Sequence, residues 1–384
     1  MPLSHPQLPK TRAASSSHSI ASRLDETDGR PSGFDYIRVV LALCVICWHS
    51  QLTAYGGADR SIWQTILSPF AFLIVPMFFA LSGFLVAGSL ERSKTLITFL
   101  GLRVFRIMPA LSVEVLLSAL ILGPLLTTKS LGEYFADPVF HSYFWNILGD
   151  IHYRLPGVFE SNPVPLVNGQ LWTVPYELVC YLVLTGLSVF GIFKRRQWLL
   201  IFLVVLYAAE IANTVFRPNA DYKGAGGTTL LISFVAGLVV YRYREKIAWS
   251  KMLFAIALVL SLILVNVSNG VRFVAIPAAY CVVYLGLLNP SKNKIILSGD
   301  YSYGLFLYGF PIQQAIMSID PGLRQWYTNI LISVPCAAFV AVCSWWFVEK
   351  PVLTHRGKLK QLENWYLGWR PVVGRTLNSA DRTP

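Results

Sequence analysis

Residues 66–90 read ILSPFAFLIVPMFFALSGFLVAGSL, twenty-five positions without one charged side chain. At about 1.5 Å per residue, a helix of that length is long enough to cross the roughly 30 Å hydrocarbon core of a bilayer. The rest of the chain repeats the pattern: of 384 residues 54% are hydrophobic and only 14% charged, and the apolar residues come in long runs rather than in narrow amphipathic stripes. Such runs predict membrane spans near 36–55, 66–88, 103–126, 172–192, 198–216, 228–241, 252–267, 271–288, 301–318 and 327–348. The expected fold class is therefore all-α, a polytopic membrane protein with about ten transmembrane helices in one bundle.

The basic residues orient that bundle. Of 32 Lys and Arg, 25 fall on one face: in the arm through Arg38, between Arg92 and Arg106, at Lys194 to Arg196, at Arg242 to Lys251, at Lys292 and Lys294, and from Lys350 onward. The opposite face holds only Arg60, Lys129, Arg154, Arg217, Lys223, Arg272 and Arg324. Positive charge accumulates on the cytoplasmic side, so both termini are expected there. This placement accounts for the formal net charge of +12 through anionic headgroups and argues against a nucleic-acid partner.

Three domain segments follow: a disordered cytoplasmic arm over 1–33, a transmembrane domain over 34–351, and a cytoplasmic tail over 352–384 that includes a short juxtamembrane helix. The polar, Ser-rich start lacks the pattern of a secretory signal, so the first apolar run is expected to remain as an anchor. All six cysteines lie inside apolar runs, which reads as buried thiols and not a disulfide framework. The longest outer loop, about 127–171, carries aromatics, prolines and acids and has the composition of a lid or an acceptor platform.

An ionisable group in hydrocarbon costs about 2.5 to 3.5 kcal/mol on insertion, so each one is a candidate for function. His49 stands in the outer half of the first span, eleven residues beyond Arg38. Arg103 and Arg106, three apart, are expected on one helix face at the inner mouth of the third span, where paired guanidinium groups suit phosphate. Pro109 marks a kink or a helix start beside them. Glu177 enters the fourth span from outside, at a depth comparable to His49, and a carboxylate beside an imidazole makes it an effective general base. Glu114 and Glu210 read as interhelical hydrogen-bond groups, and Glu349, closing the last span, as a helix-end device.

Four segments, in order, resemble the membrane-bound acyltransferase 3 family: Phe34 to Arg38 with His49; Pro76-Met77-Phe78-Phe79-Ala80-Leu81-Ser82-Gly83-Phe84-Leu85; Arg103-Val104-Phe105-Arg106-Ile107-Met108-Pro109; and Gly169 to Glu177. The stretch Asp300 to Pro311 is similar to a further segment of that family, with Gly309 where a histidine is common. This resemblance implies an acyl-CoA-dependent O-acyltransferase of the bacterial inner membrane, acting on a cell-surface or exported glycan such as an exopolysaccharide or lipopolysaccharide.

Carried onto this chain, the resemblance implies His49 and Glu177 as catalytic residues and Arg38, Arg103 and Arg106 as the binding site of acetyl-CoA or another acyl-CoA co-substrate. Read from their own chemistry, Trp172 and Tyr176 are placed either to contact a glycan or lipid-linked saccharide acceptor or to anchor the helix end at the membrane interface, and no metal is expected. Direct transfer and an acylated His49 both remain open. The alternative reading is a secondary transporter, which would also contain broken helices and intramembrane carboxylates.

Overall fold

In the computed structural model, the structure describes residues 19–29, 31–56, 67–216, 226–291, 293, 298–359, 361 and 363–365. Among these residues, ten helices of twelve residues or more form the protein. They are α1 (Gly33–Tyr55), α2 (Ser68–Arg92), α3 (Leu96–Leu117), α4 (Val174–Val189) and α5 (Arg196–Phe216). The second half contributes α6 (Gly227–Arg242), α7 (Lys251–Asn266), α8 (Ala275–Gly286), α9 (Ser302–Ile319) and α10 (Trp326–Ser344). Strands are absent among the described residues apart from two isolated bridges.

Each expected span falls on one of these helices, yet the helices differ in reach. Six are long and apolar enough to cross a membrane: α1, α2, α3 with its extension to Leu126, α4 with the turn before it, α5, and α10. By contrast, α6, α7 and α8 are apolar but only 16, 16 and 12 residues long. Large apolar side chains lie bare on the outside of the bundle, among them Leu182, Phe190, Phe216, Leu331, Phe339 and Phe347. In water such a surface would drive aggregation, whereas lipid tails satisfy it.

The centre of the bundle is held by backbone approach. A Cβ at Gly83 of α2 would lie 2.0 Å from the Phe234 carbonyl oxygen of α6, and one at Gly237 of α6 would lie 2.0 Å from that of Ala80. Small residues let two helices meet at this distance, where dispersion contacts replace the hydrophobic drive that lipid does not provide. Interhelical polar contacts add to this at α1, where Gln313 of α9 donates to the Ile46 carbonyl (2.8 Å) and Asn329 of α10 donates to Thr53 Oγ1 (3.0 Å).

Several expectations change. The third helix begins at Leu96, capped by the Thr95 side chain, and runs through Pro109 into a π-turn at Ser118–Leu122, so Arg103 and Arg106 lie two turns or more inside it instead of at its start. Residues 19–29 of the arm are also ordered, in contrast to the disorder expected over 1–33. A helix at Ile20–Asp25, with a capping box at Ser19 and Ser22, buries Ile20 and Leu24, and the Arg23 guanidinium stacks 4.2 Å from the Trp249 ring. Residues 1–18 and 30 lie outside the described residues, as do 366–384 of the tail, whose expected juxtamembrane helix begins at Lys350–Thr354. The six thiols are free, but Cys336 is exposed, on a face of α10 that packing leaves toward lipid. Arg272, counted with the charges of the outer face at the start of the expected span 271–288, is buried in an ion pair with Glu210 (3.0 Å).

The loop after α3 is a built element. It contains helices Leu131–Ala136 and Pro138–Tyr143, and Tyr134 is fully buried with its hydroxyl on the Ala119 carbonyl (2.7 Å). Its far end is tied to α9, where Asn162 donates to the Gln314 carbonyl (2.9 Å) and Gln314 donates to that of Leu166 (2.6 Å). The chain thus enters α4 from a fixed direction.

Candidate active site

One end of the bundle carries the turns at Arg92 to Lys94, Lys194 to Arg196 and Arg242 to Lys251, and is called here the basic end; the loop after α3 lies at the other. At the basic end Arg38 of α1 donates to Asp300 Oδ2 (2.6 Å), just before α9. Arg106 of α3 donates to the same oxygen (2.8 Å) and to Glu349 Oε2 (3.2 Å), and stacks 5.6 Å from the Tyr303 ring. Four helices thus converge on two guanidinium groups and two carboxylates. Burial alone would push the Asp300 carboxyl up, but Arg106 and then Arg38 outweigh it and hold it well below the usual carboxylate range.

Asp300 and Glu349 were not recognised as site residues in the sequence. Glu349 read as a helix-end device, yet it is 2% exposed and sits in a π-turn, Trp345–Glu349, that turns its carboxylate inward. Asp300 stood at the edge of a motif without a role. The only signal for either was its place beside a recognised segment.

Arg103 differs from its neighbours. It donates to Ser89 Oγ of α2 (3.1 Å) and lies 6.0 Å from the Phe99 ring, and no carboxylate among the described residues pairs with it. The pair expected on one face therefore diverges, Arg106 turning to α9 and α10 and Arg103 to α2. Each guanidinium has five N–H donors, and the contacts of Arg38 and Arg106 use only some of them. The cluster therefore retains an unpaired cation and spare donors that fit an anionic, phosphate-bearing ligand.

His49 lies about 16 Å further along α1. Its imidazole is partly buried, edge-on to Phe310 at 5.3 Å, and its Nδ1 is 3.4 Å from Gln170 Nε2. Gln170 belongs to the short helix Gly169–Thr173 that precedes α4; Asn168 caps it, its oxygen accepting from the Gln170 N–H (3.2 Å). Asn168 in turn donates to Glu114 Oε1 (2.9 Å) and to the Leu307 carbonyl (3.0 Å). Glu114, expected as an interhelical hydrogen-bond group, has that role and stands at the far end of this chain of contacts.

Glu177 does not meet His49. Its carboxylate accepts from the Tyr181 hydroxyl one turn along α4, and among the groups that feel its charge are Tyr181, Cys180, Tyr303 and Arg106. The two were expected together because their depths match, but the carboxylate lies toward Tyr181, Tyr303 and Arg106 instead. Trp172 and Tyr176 do come together, ring centroids 5.9 Å apart, with Tyr176 exposed and packed on Gly227. Trp172 is two residues and Tyr176 six residues from Gln170, and together they form an aromatic rim on the His49 side. A cavity of about 470 Å³ opens at the basic end between Lys194, Arg195, Arg196 and Lys246, and contains none of these residues. Among the described residues, no three His, Cys, Asp or Glu side chains gather as a metal-ligand set.

An all-helical, multi-pass membrane protein with an arginine–carboxylate cluster at one end and a histidine among its helices is the class that fold and site define. A family model described as an acyltransferase domain matches residues 32–349, and the chain belongs to that family. It is 26% identical over 334 residues to an O-acetyl transferase of Shigella phage Sf6, a match covering 84% of this chain and 96% of the relative. It is 27% identical over 361 residues to nodulation protein 10 of Rhizobium leguminosarum bv. viciae, covering 87% and 96%. A Bacillus subtilis protein named for peptidoglycan O-acetyl transfer is 23% identical over 369 residues, covering 84% of this chain and 55% of that protein. No solved structure gives a significant match.

Proposed function

We propose that the protein is an acyl-CoA-dependent O-acyltransferase of the bacterial inner membrane, crossing it about ten times with both termini cytoplasmic, and that it acylates a hydroxyl of a surface or exported glycan at the outer side. One observation carries this reading: α1 bears both Arg38, which shares Asp300 with Arg106 of α3, and the His49 imidazole about 16 Å further along, so a donor held at one end can deliver its acyl group to the other. The names of two relatives, for O-acetyl transfer and for peptidoglycan O-acetyl transfer, support an acetyl group and a glycan acceptor.

In this reading the phosphates of the acyl-CoA bind Arg103 first, because its charge is unpaired, and take the remaining N–H donors of Arg38 and Arg106, which Asp300 holds in place. His49 removes the proton of the acceptor hydroxyl as its oxygen attacks the thioester carbonyl. The new C–O bond forms the ester, the C–S bond breaks, and the thiolate leaves as CoA and takes up the proton. Glu177, away from the imidazole and near Arg106 and Tyr303, acts on the donor side of the site. Trp172 and Tyr176 offer ring faces to a sugar at the opposite rim.

The test is mass spectrometry of surface glycans from cells with and without the protein, joined to transfer of label from acetyl-CoA by the purified protein in nanodiscs. Loss of an acetyl or succinyl mass in cells lacking the protein, and in cells with His49→Ala, is the expected result. Translocation of a substrate without any modified glycan would instead establish a transporter.

A further inference from the structure

Resting on the reading of His49 as the base, we infer that Gln170, together with the Val45 backbone one turn back on α1, sets its tautomer and ring orientation, the task for which sequence spacing nominated Glu177. Gln170 is 1% exposed, and His49 is the one hydrogen-bond partner of its side chain among the described residues. A buried amide costs free energy unless it is paired, so a glutamine committed to a single imidazole is a costly feature to keep for packing alone.

The surroundings fix that amide from several directions. Asn168, fully buried, holds the Gln170 backbone and is itself held by Glu114 and the Leu307 carbonyl. Phe310 packs under Gly169 and against the imidazole. On α9, Gly309 provides the space: a Cβ there would lie 2.7 Å from Ile46 Cγ1, close enough to force that side chain aside, and in ordinary contact with Gln170 Nε2 at 3.5 Å.

The amide nitrogen faces the ring in this structure, and a half-turn about the last side-chain bond brings the oxygen to the same place. An N–H directed at Nδ1 would leave the proton on Nε2 and deprive the base of a lone pair toward substrate. With the amide turned, its oxygen accepts from Nδ1–H, and the Nε2 lone pair is left for the acceptor hydroxyl. Gln170 is thus a positioning residue, acting through His49.

The experiment uses the full chain in nanodiscs, with labelled acetyl-CoA and host-cell membrane glycan as probes, and reads kcat and KM separately. Gln170→Met, which has a similar shape and no strong acceptor, is expected to lower kcat at least about tenfold with KM for acetyl-CoA unchanged. Gln170→Glu, whose oxygens can only accept, is expected to retain most of the wild-type kcat. If Gln170→Glu is as slow as Gln170→Met, or if both run at the wild-type kcat, the inference is overturned. Should the Met variant fail to fold, Gln170→Asn, which withdraws the amide by one methylene, is read in its place against the same Glu variant. His49→Ala separates the two levels: an active His49→Ala defeats the reading of the base itself, whereas an inactive one beside a fully active Gln170→Met defeats only the role of Gln170.

Discussion

Replacing Arg106 by leucine tests whether the cluster at the basic end is a buried, mutually dependent set of charges. Glu349, 2% exposed, would lose its one ion-pair partner and keep only the Ser344 hydroxyl at 3.3 Å. Removing one member of a buried pair typically costs about 3 to 5 kcal/mol, because the other charge is left without compensation. Asp300 adds little to this, since it keeps Arg38 at 2.6 Å and is 27% exposed. Arg106→Leu should therefore be destabilised by about 3 kcal/mol, the lower end of that range, because a Glu349 left without its partner can take up a proton. The double variant Arg106→Leu/Glu349→Leu removes the orphaned charge and fills the space with apolar atoms, so it should recover at least about 2 kcal/mol of that loss. Reversible unfolding by SDS in mixed micelles, followed by tryptophan fluorescence, measures all three proteins. A double variant no more stable than the single one would refute the argument that Glu349 depends on Arg106.

Three further outcomes are expected. Arg103→Ala should raise KM for acyl-CoA about ten- to a hundredfold, the worth of a charge-assisted phosphate contact of about 1.5 to 3 kcal/mol, while leaving stability nearly unchanged because no carboxylate loses its partner; steady-state kinetics beside a melting curve checks both. The low folded-state pKa of Asp300 contributes stability that is complete above its unfolded-chain value of about 4 and is lost as pH falls toward the folded value, so the stability gap between wild type and Asp300→Asn should be constant from about pH 5 to 7 and shrink below about pH 4. Gly83→Ala, whose Cβ would meet the Phe234 carbonyl at 2.0 Å, should cost at least about 1 to 3 kcal/mol, whereas Gly186→Ala on α4, where nothing lies within 4 Å, should be neutral or stabilising by up to about 1 kcal/mol; equal effects at the two sites would undo the account of the α2–α6 contact.

Much of the helical frame was legible without coordinates, and residues 66–90 illustrate why. A run of that length and polarity is a local property, because the backbone in lipid must satisfy its own hydrogen bonds and a helix does so within the segment. Helix ends were less legible: α3 starts at Leu96 because Thr95 caps it and proceeds through Pro109, which sequence spacing had read as a kink or a start. The candidate residues His49, Arg38, Arg103 and Arg106 stood out because ionisable groups are rare in apolar runs.

The sequence by itself determined which stretches are apolar helices, where charge collects, and which few polar side chains enter the apolar interior, since each follows from the transfer free energies of neighbouring residues. Only the tertiary structure decided which of those side chains meet. Depth along a helix can be counted from the sequence, but rotation about its axis is set by packing against distant segments. Packing between segments distant in sequence brings Gln170 to His49, Glu349 to Arg106 and Arg272 to Glu210.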